Sequence, residues 1–164
     1  MITDEIKILF MDLDHTLIYP KSGNTFPTDI NDWAIIDGVP FAIAKYVEDG
    51  YKPIIVSNQG GIKLGHSTEK EMHGKFSAVI DEICRIGGMS PSIFRYFFCT
   101  TNNKENHFRK PNPGMAEVAA ALYVDEIDWT KCIMVGDMDT DEQFAKNAEI
   151  GIFIWANEFA EQGK

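Results

Sequence analysis

A chain of 164 residues with 15 Lys and Arg, 25 Asp and Glu and a net charge of -10 has room for one folded domain over 1–164 and needs no disulfide staples. Hydrophobic residues at 45% and charged residues at 24% exclude a disordered or collagen-like chain, and no apolar run reaches the roughly 18 residues of a membrane span. The acidic balance counts against tight binding along duplex nucleic acid, where phosphate contacts dominate affinity.

Ile6-Lys7-Ile8-Leu9-Phe10-Met11 reads as a buried strand. Residues 17–37, with Pro20, Gly23 and Pro27, read as a loop or small hairpin. Val39 to Asp49 is an amphipathic helix closed by Gly50, and Pro53 to Val56 a second strand. Thr68-Glu69-Lys70-Glu71 has the capping-box spacing and opens a helix to about Ile86, ended by Gly87-Gly88. Phe94 to Cys99 is a third strand, followed by a polar loop over 100–110. Pro113 to Leu122 is a helix with proline in its first turn. Cys132 to Val135 is a fourth strand, Asp139 to Glu149 a helix and Ile152 to Trp155 a fifth strand. Strands alternating with helices predict an α/β fold with an open, mostly parallel sheet covered on both faces.

Such sheets bind ligands beyond the carboxyl ends of their strands. After the first strand stand Asp12 and Asp14, whose i, i+2 spacing on extended backbone aims both carboxylates the same way. Such a pair suits one ionised nucleophile or metal ligand and one acid–base group. After the second come Ser57, Asn58 and Gln59, then Gly60-Gly61, a set of donors for an anion. The polar loop ends in Arg109-Lys110-Pro111 just before a helix start, where cations and free N–H groups favour an anion. After the fourth come Gly136, Asp137, Asp139 and Asp141. Asp139 reads as the helix cap; Asp137 and Asp141 point to a divalent metal, and an all-oxygen set favours Mg2+ over zinc. Two acids, a hydroxyl, a lysine and two more acids on one sheet edge assemble phosphoryl transfer.

The set Asp12/Asp14/Thr16, Ser57, Lys110 and Gly136-Asp137 with Asp141 resembles the haloacid dehalogenase superfamily of aspartate-nucleophile phosphatases. The resemblance implies a Rossmann-like three-layer sandwich with little or no cap domain. It implies that Asp12 forms an aspartyl-phosphate and that Asp14 protonates the leaving group and then activates water. It implies that Thr16, Ser57, Asn58, Arg109 and Lys110 hold phosphate or substrate. Asp12, the Asp14 carbonyl and Asp137 would bind Mg2+, with Asp141 close behind.

Within the superfamily, Thr16-Leu17-Ile18, Ser22-Gly23, Phe26-Pro27, Asp32-Trp33, Ser57-Asn58-Gln59 and Phe108-Arg109-Lys110-Pro111 look like the phosphatase domain of polynucleotide kinase 3′-phosphatases. The implied substrate is a DNA 3′-phosphate end. Histidinol-phosphate and heptose-bisphosphate phosphatases share Asn58-Gln59 and Arg109-Lys110-Pro111, and Ile36-Asp37-Gly38-Val39 is similar to the heptose enzymes, so a small-metabolite phosphatase is the alternative. A non-enzymatic phosphate-binding domain on the same fold is a third reading, against which the intact acid and lysine set speaks. Those metabolite relatives carry a Cys/His zinc loop; here only Cys99 and His107 remain where tetrahedral zinc needs four ligands, so no zinc is expected. His15 stands where the family usually has glycine.

Lys21, Lys63, Lys104, Arg109 and Lys110 are the cations available to line the mouth, and Arg109 is placed to meet a second phosphate. Phe26 and Trp33 either stack on a substrate base or pack the 17–37 loop on the core. His66 and His73 read as surface residues. Cys84, Cys99 and Cys132 form no CxxC and read as buried free thiols. With Asp4 and Glu5 in place of a basic leader start, they predict a cytoplasmic protein with no membrane partner.

Overall fold

The computed structural model describes residues 5–62 and 65–164. The Asp4 reading and the Lys63 cation lie outside the described residues. β1 (Lys7–Met11) is the central strand of a five-stranded sheet. β4 (Tyr51–Asn58) pairs with it on one side and β6 (Ile133–Gly136) on the other, both parallel. β5 (Arg95–Cys99) and β7 (Ile152–Trp155) are the edges, so the order is β5-β4-β1-β6-β7. The expected mostly parallel sheet is therefore found, with each strand within a few residues of its predicted place.

The pleat sorts each strand between two cores. Leu9, Met11, Ile55, Ile133 and Val135 face one layer, built by α1 (Val39–Glu48), α2 (Glu69–Gly87) and α5 (Ala156–Glu161). Ile8, Phe10, Ile54, Val56, Cys132 and Met134 face the other, built by α3 (Gly114–Ala120) and α4 (Asp139–Asn147). Both faces of β1 are thus apolar, which is why its sequence shows a run rather than an alternation. Phe10, fully buried, stacks on Trp129 at 6.2 Å and meets Phe144 edge-on at 6.3 Å.

This wiring fixes where a site can be. α1 and α2 carry the chain across one face toward β5; α3 and α4 carry it across the other toward β7. The direction reverses around β1, and the crevice of a doubly wound sheet opens at that reversal, beyond the carboxyl end of β1.

Local signals explain the helix ends. The Thr68 hydroxyl accepts from the Glu71 amide at 3.1 Å and starts α2. Gly88, left-handed at φ 72°, ends it, its amide donating to the Cys84 carbonyl at 2.8 Å. The expected cap at Asp139 is not there: Asp139 is the first helical residue of α4, and the Asp141 carboxylate accepts from the Met138 and Asp137 amides instead. α5 and the 3-10 turn Pro91–Ile93 went unread in the sequence.

The 17–37 segment is both hairpin and loop. β2 (Ile18–Tyr19) pairs antiparallel with β3 (Ala34–Ile35). Between them the Asp32 carboxylate accepts from the Ser22 amide and hydroxyl at 2.9 and 2.7 Å and from the Thr28 amide at 2.8 Å. The Ser22 hydroxyl, then the Thr28 amide, hold the Asp32 carboxyl at about 2. Trp33 packs on the core, whereas Phe26 is 78% exposed at the loop. His66 and His73 are exposed, and all three cysteines are buried and free. No helix among the described residues is long and apolar enough to cross a membrane.

Candidate active site

Asp12 follows the last residue of β1, and its amide donates to the Val135 carbonyl at 2.9 Å. The bond ties the first acidic motif to β6. Lys110 reaches it from the loop after β5. Its Nζ donates to Asp12 Oδ1 at 2.8 Å and to Asp141 Oδ1 at 2.7 Å. Lys110 is 3% exposed and Asp141 2%, so this is a buried carboxylate–ammonium–carboxylate bridge. An ammonium has three donors; the bridge spends two.

Asp137 completes the cluster. Ligand oxygens of Asp12, Asp137 and Asp141 lie within 4.8 Å of one another. Three carboxylates stand around one ammonium, and the two that touch it, Asp12 and Asp141, have raised proton affinities. Burial pushes the Asp12 carboxyl up to about 6 against the pull of Lys110, with Asp14 and Asp137 adding to the rise. Burial also raises Asp141, again opposed by Lys110. Burial works against the Lys110 ammonium, but the charges of Asp12 and Asp141 outweigh it and hold the group above its usual value. An oxygen-only donor set with surplus negative charge fits a hard divalent cation such as Mg2+.

Gly136 is required for this geometry, since any side chain there would overlap the Asp141 carboxylate. Asp141 is fully engaged: Oδ1 meets Lys110, and Oδ2 meets the Asp137 and Met138 amides at 3.2 and 3.1 Å. Asp137 is the most open of the three acids.

The remaining expected residues divide. Ser57, 1% exposed on β4, is linked to Asp14 through Gln59; its Oγ accepts from Gln59 Nε2 at 2.8 Å, which leaves its own hydrogen for another acceptor. Thr16, expected to touch phosphate, has its hydroxyl between two carboxylates, 3.4 Å from Asp12 Oδ2 and 3.3 Å from Asp137 Oδ1. The Asn58 side-chain amide accepts from the Lys110 amide and donates to the Lys110 carbonyl, both at 3.0 Å. Thr16 thus holds the acids in place, and Asn58 the backbone of Lys110. Arg109 spends one donor on the Thr101 carbonyl at 3.1 Å. The Asp14 carboxylate stands outside the three-acid cluster; Oδ2 accepts from Gln59 Nε2 at 2.9 Å, and Oδ1 lies 3.8 Å from Lys75 Nζ. Gln59, read from the sequence as an anion donor, donates instead to the Asp14 carboxylate and the Ser57 hydroxyl; Lys75 was given no role there, although a lysine in the apolar stripe of α2 with Met72, Phe76 and Val79 breaks the helix pattern.

The loop over 100–110 is held by short polar side chains. Asn106 Oδ1 accepts from the Phe108 amide at 2.9 Å, and Asn112 donates to the Lys104 and Asn106 carbonyls at 3.0 and 2.9 Å. His107 is paired with Glu117 at 2.7 Å. Lys21 and Lys104 are exposed.

His15 adopts φ 59°. Its left-handed turn, closed by its amide on the Ile18 carbonyl at 2.7 Å, separates Asp14 from Thr16. A side chain there costs roughly 1–2 kcal/mol, partly offset by the about 0.5–1 kcal/mol entropy cost of glycine. His15→Gly is therefore expected to stabilise the fold by up to about 1 kcal/mol, read as a higher urea midpoint at unchanged slope; a lower midpoint would mean that the imidazole makes contacts worth more than the strain.

Comparison with known proteins identifies the family and the fold. Residues 7–159 match the family described as polynucleotide kinase 3 phosphatase. The chain is 31% identical over 162 residues to D-glycero-alpha-D-manno-heptose-1,7-bisphosphate 7-phosphatase of Burkholderia mallei, covering 88% of this chain and 77% of that protein. It is 32% identical over 148 residues to the histidine biosynthesis bifunctional protein HisB of Xanthomonas campestris pv. campestris, covering 87% of this chain. The chain spans 37% of the length of that relative. Among solved structures, D,D-heptose 1,7-bisphosphate phosphatase of B. bronchiseptica, complexed with magnesium and phosphate, superimposes with a TM-score of 0.74 at 20% identity, over 96% of this chain and 97% of that one. At that identity the likeness is one of fold.

Proposed function

The chain belongs to the polynucleotide kinase 3 phosphatase family, within the haloacid dehalogenase phosphatases, and on that premise we propose that it is a Mg2+-dependent phosphomonoesterase of a small phosphorylated metabolite. The observation that carries the reaction type is the buried Asp12–Lys110–Asp141 bridge with Asp137 beside it. The small substrate is favoured by two relatives, one named for heptose bisphosphate and one for histidine biosynthesis. The DNA 3′ end that led the sequence reading takes second place, its support being the family's own description set against a net charge of -10.

In this reading an Asp12 oxygen attacks phosphorus. The bond from phosphorus to the leaving oxygen breaks, and that oxygen keeps the electron pair and takes a proton from Asp14. Water then attacks the same phosphorus and gives its proton to Asp14. The bond to Asp12 breaks, inorganic phosphate leaves and both aspartates are restored. Asp12, Asp137 and the Asp14 main-chain carbonyl would hold Mg2+, which when bound would neutralise charge on the phosphate oxygens. Asp141, its oxygens already engaged, holds Lys110. Lys110, through its third donor, and the Ser57 hydroxyl bind the phosphate oxygens. Arg109, one donor short, takes a second anionic group of the substrate. Three buried free thiols support a reducing compartment, the cytoplasm, as its location. The described residues are read as one domain.

Phosphate release in Mg2+ from heptose 1,7-bisphosphate, histidinol phosphate and a 3′-phosphorylated DNA oligonucleotide, compared side by side, tests the substrate class. A preference for one small substrate of at least about 10-fold in kcat/KM, about 1.4 kcal/mol, is the expected result. Preference for the oligonucleotide would return the DNA-end reading to first place.

A further inference from the structure

We infer that Lys75, with Gln59, is a positioning residue that holds the Asp14 carboxylate for proton transfer; the inference rests on the acid–base role given to Asp14 above. Lys75 is 6% exposed on α2, among Met72, Phe76 and Val79. A lysine is almost never buried unpaired, because its charge is costly away from water. Among the described residues its ion pair is with Asp14, Nζ to Oδ1 at 3.8 Å.

The two oxygens of Asp14 are treated differently. Oδ2 accepts a hydrogen bond from Gln59 Nε2 at 2.9 Å, and the same nitrogen bonds the Ser57 hydroxyl at 2.8 Å. Oδ1 faces Lys75 from beyond hydrogen-bond reach. The Asp14 side chain is 41% exposed while that of Lys75 is 4% exposed, so a buried ammonium faces a carboxylate that solvent and substrate can reach. Gln59 fixes the plane of the carboxyl group. Lys75 attracts the carboxylate without occupying Oδ1, which remains the oxygen that carries the exchanging proton. As that proton passes to the leaving oxygen, negative charge grows on Asp14 next to a fixed ammonium, the arrangement that preorganised electrostatics requires.

The test uses two aryl phosphates of similar shape, in Mg2+, with the full chain. p-Nitrophenyl phosphate has a leaving oxygen that departs without a proton; phenyl phosphate needs one. Lys75→Met, which keeps length and suits an apolar stripe, is expected to lower kcat/KM on phenyl phosphate at least about 10-fold, a fraction of what a general acid contributes. On p-nitrophenyl phosphate the loss is expected to stay within about 3-fold, with KM moving less than that on both. Lys75→Arg, which keeps the charge, should recover most of the loss. Equal losses on the two substrates, or none on either, would overturn the inference, as would failure of Lys75→Arg to recover activity while its melting curve matches that of the wild type. Asp14→Asn, run in parallel, separates the layers. If it discriminates between the substrates and Lys75→Met does not, the role of Asp14 stands and that of Lys75 falls; if it does not discriminate, the acid–base reading itself falls.

Discussion

Asp12→Asn is expected to stop phosphate release altogether, by at least about 10^4-fold in kcat, the scale seen when a covalent nucleophile is removed. The amide keeps the shape of the carboxylate and an oxygen for Lys110, but it is not a nucleophile. The same change is expected to leave the fold intact and more heat-resistant at neutral pH, with chelator present. Burial raises the Asp12 carboxyl from 3.8 to about 6, so the folded chain prefers this group protonated. The stability it contributes is complete below its unfolded value, 3.8, and is lost as pH rises through about 6. At pH 7.5 the wild type carries the full penalty and the amide variant none. Melting curves between pH 4 and 7.5 should show the advantage of the variant shrinking toward the acid end. Residual turnover above background would sink the aspartyl-phosphate reading. A variant that melts well below the wild type at pH 7.5 would show that Asp12 is held by Lys110 more strongly than burial penalises it.

How much of this was legible beforehand depends on the kind of signal. The alternation of apolar runs and helical periods placed every strand of the main sheet, most firmly β1, β4 and β6, where both faces are covered and mostly apolar side chains fit. α5 escaped because six residues, Ala156–Glu161, without a side-chain cap, leave no periodicity to read. The acids, the serine and the lysine stood out because strand ends collect chemistry. The direction of a side chain did not. Thr16 and Asn58 carry groups that suit a phosphate, yet both are turned to the acids and to the Lys110 backbone, a choice made by tertiary packing that spacing does not encode. Asp139 looked like a cap by type, but Gly136 leaves room for Asp141 to fold back and take the amides first. Lys75 had a legible signal, a charge inside an apolar stripe, but not its partner, which lies 61 positions away by sequence number and meets it only once α2 covers the sheet.

Lys110→Met tests the bridge from its positive end and should be costly on two counts. Asp12 and Asp141, both nearly buried, would lose the one ammonium they share. Removing one partner of a buried ion pair destabilises by about 3–5 kcal/mol because the remaining charge is uncompensated, and for a chain of this size that corresponds to a melting point lower by roughly 10 °C. Turnover should fall by about 10^2–10^3, the scale of losing a preorganised donor to developing charge. The two losses are separable. Adding Asp141→Asn to Lys110→Met removes one stranded carboxylate and should return much of the stability, while activity stays low because nothing has replaced the donor to phosphate. Mg2+ should raise the melting point of Lys110→Met more than that of the wild type, since the three oxygen donors of Asp12, Asp137 and Asp141 would then bind the cation without a competing ammonium. If the double variant regains activity along with stability, Lys110 acts only by keeping the acids folded. If Mg2+ raises the melting point of neither protein, the acid cluster is not where the cation binds.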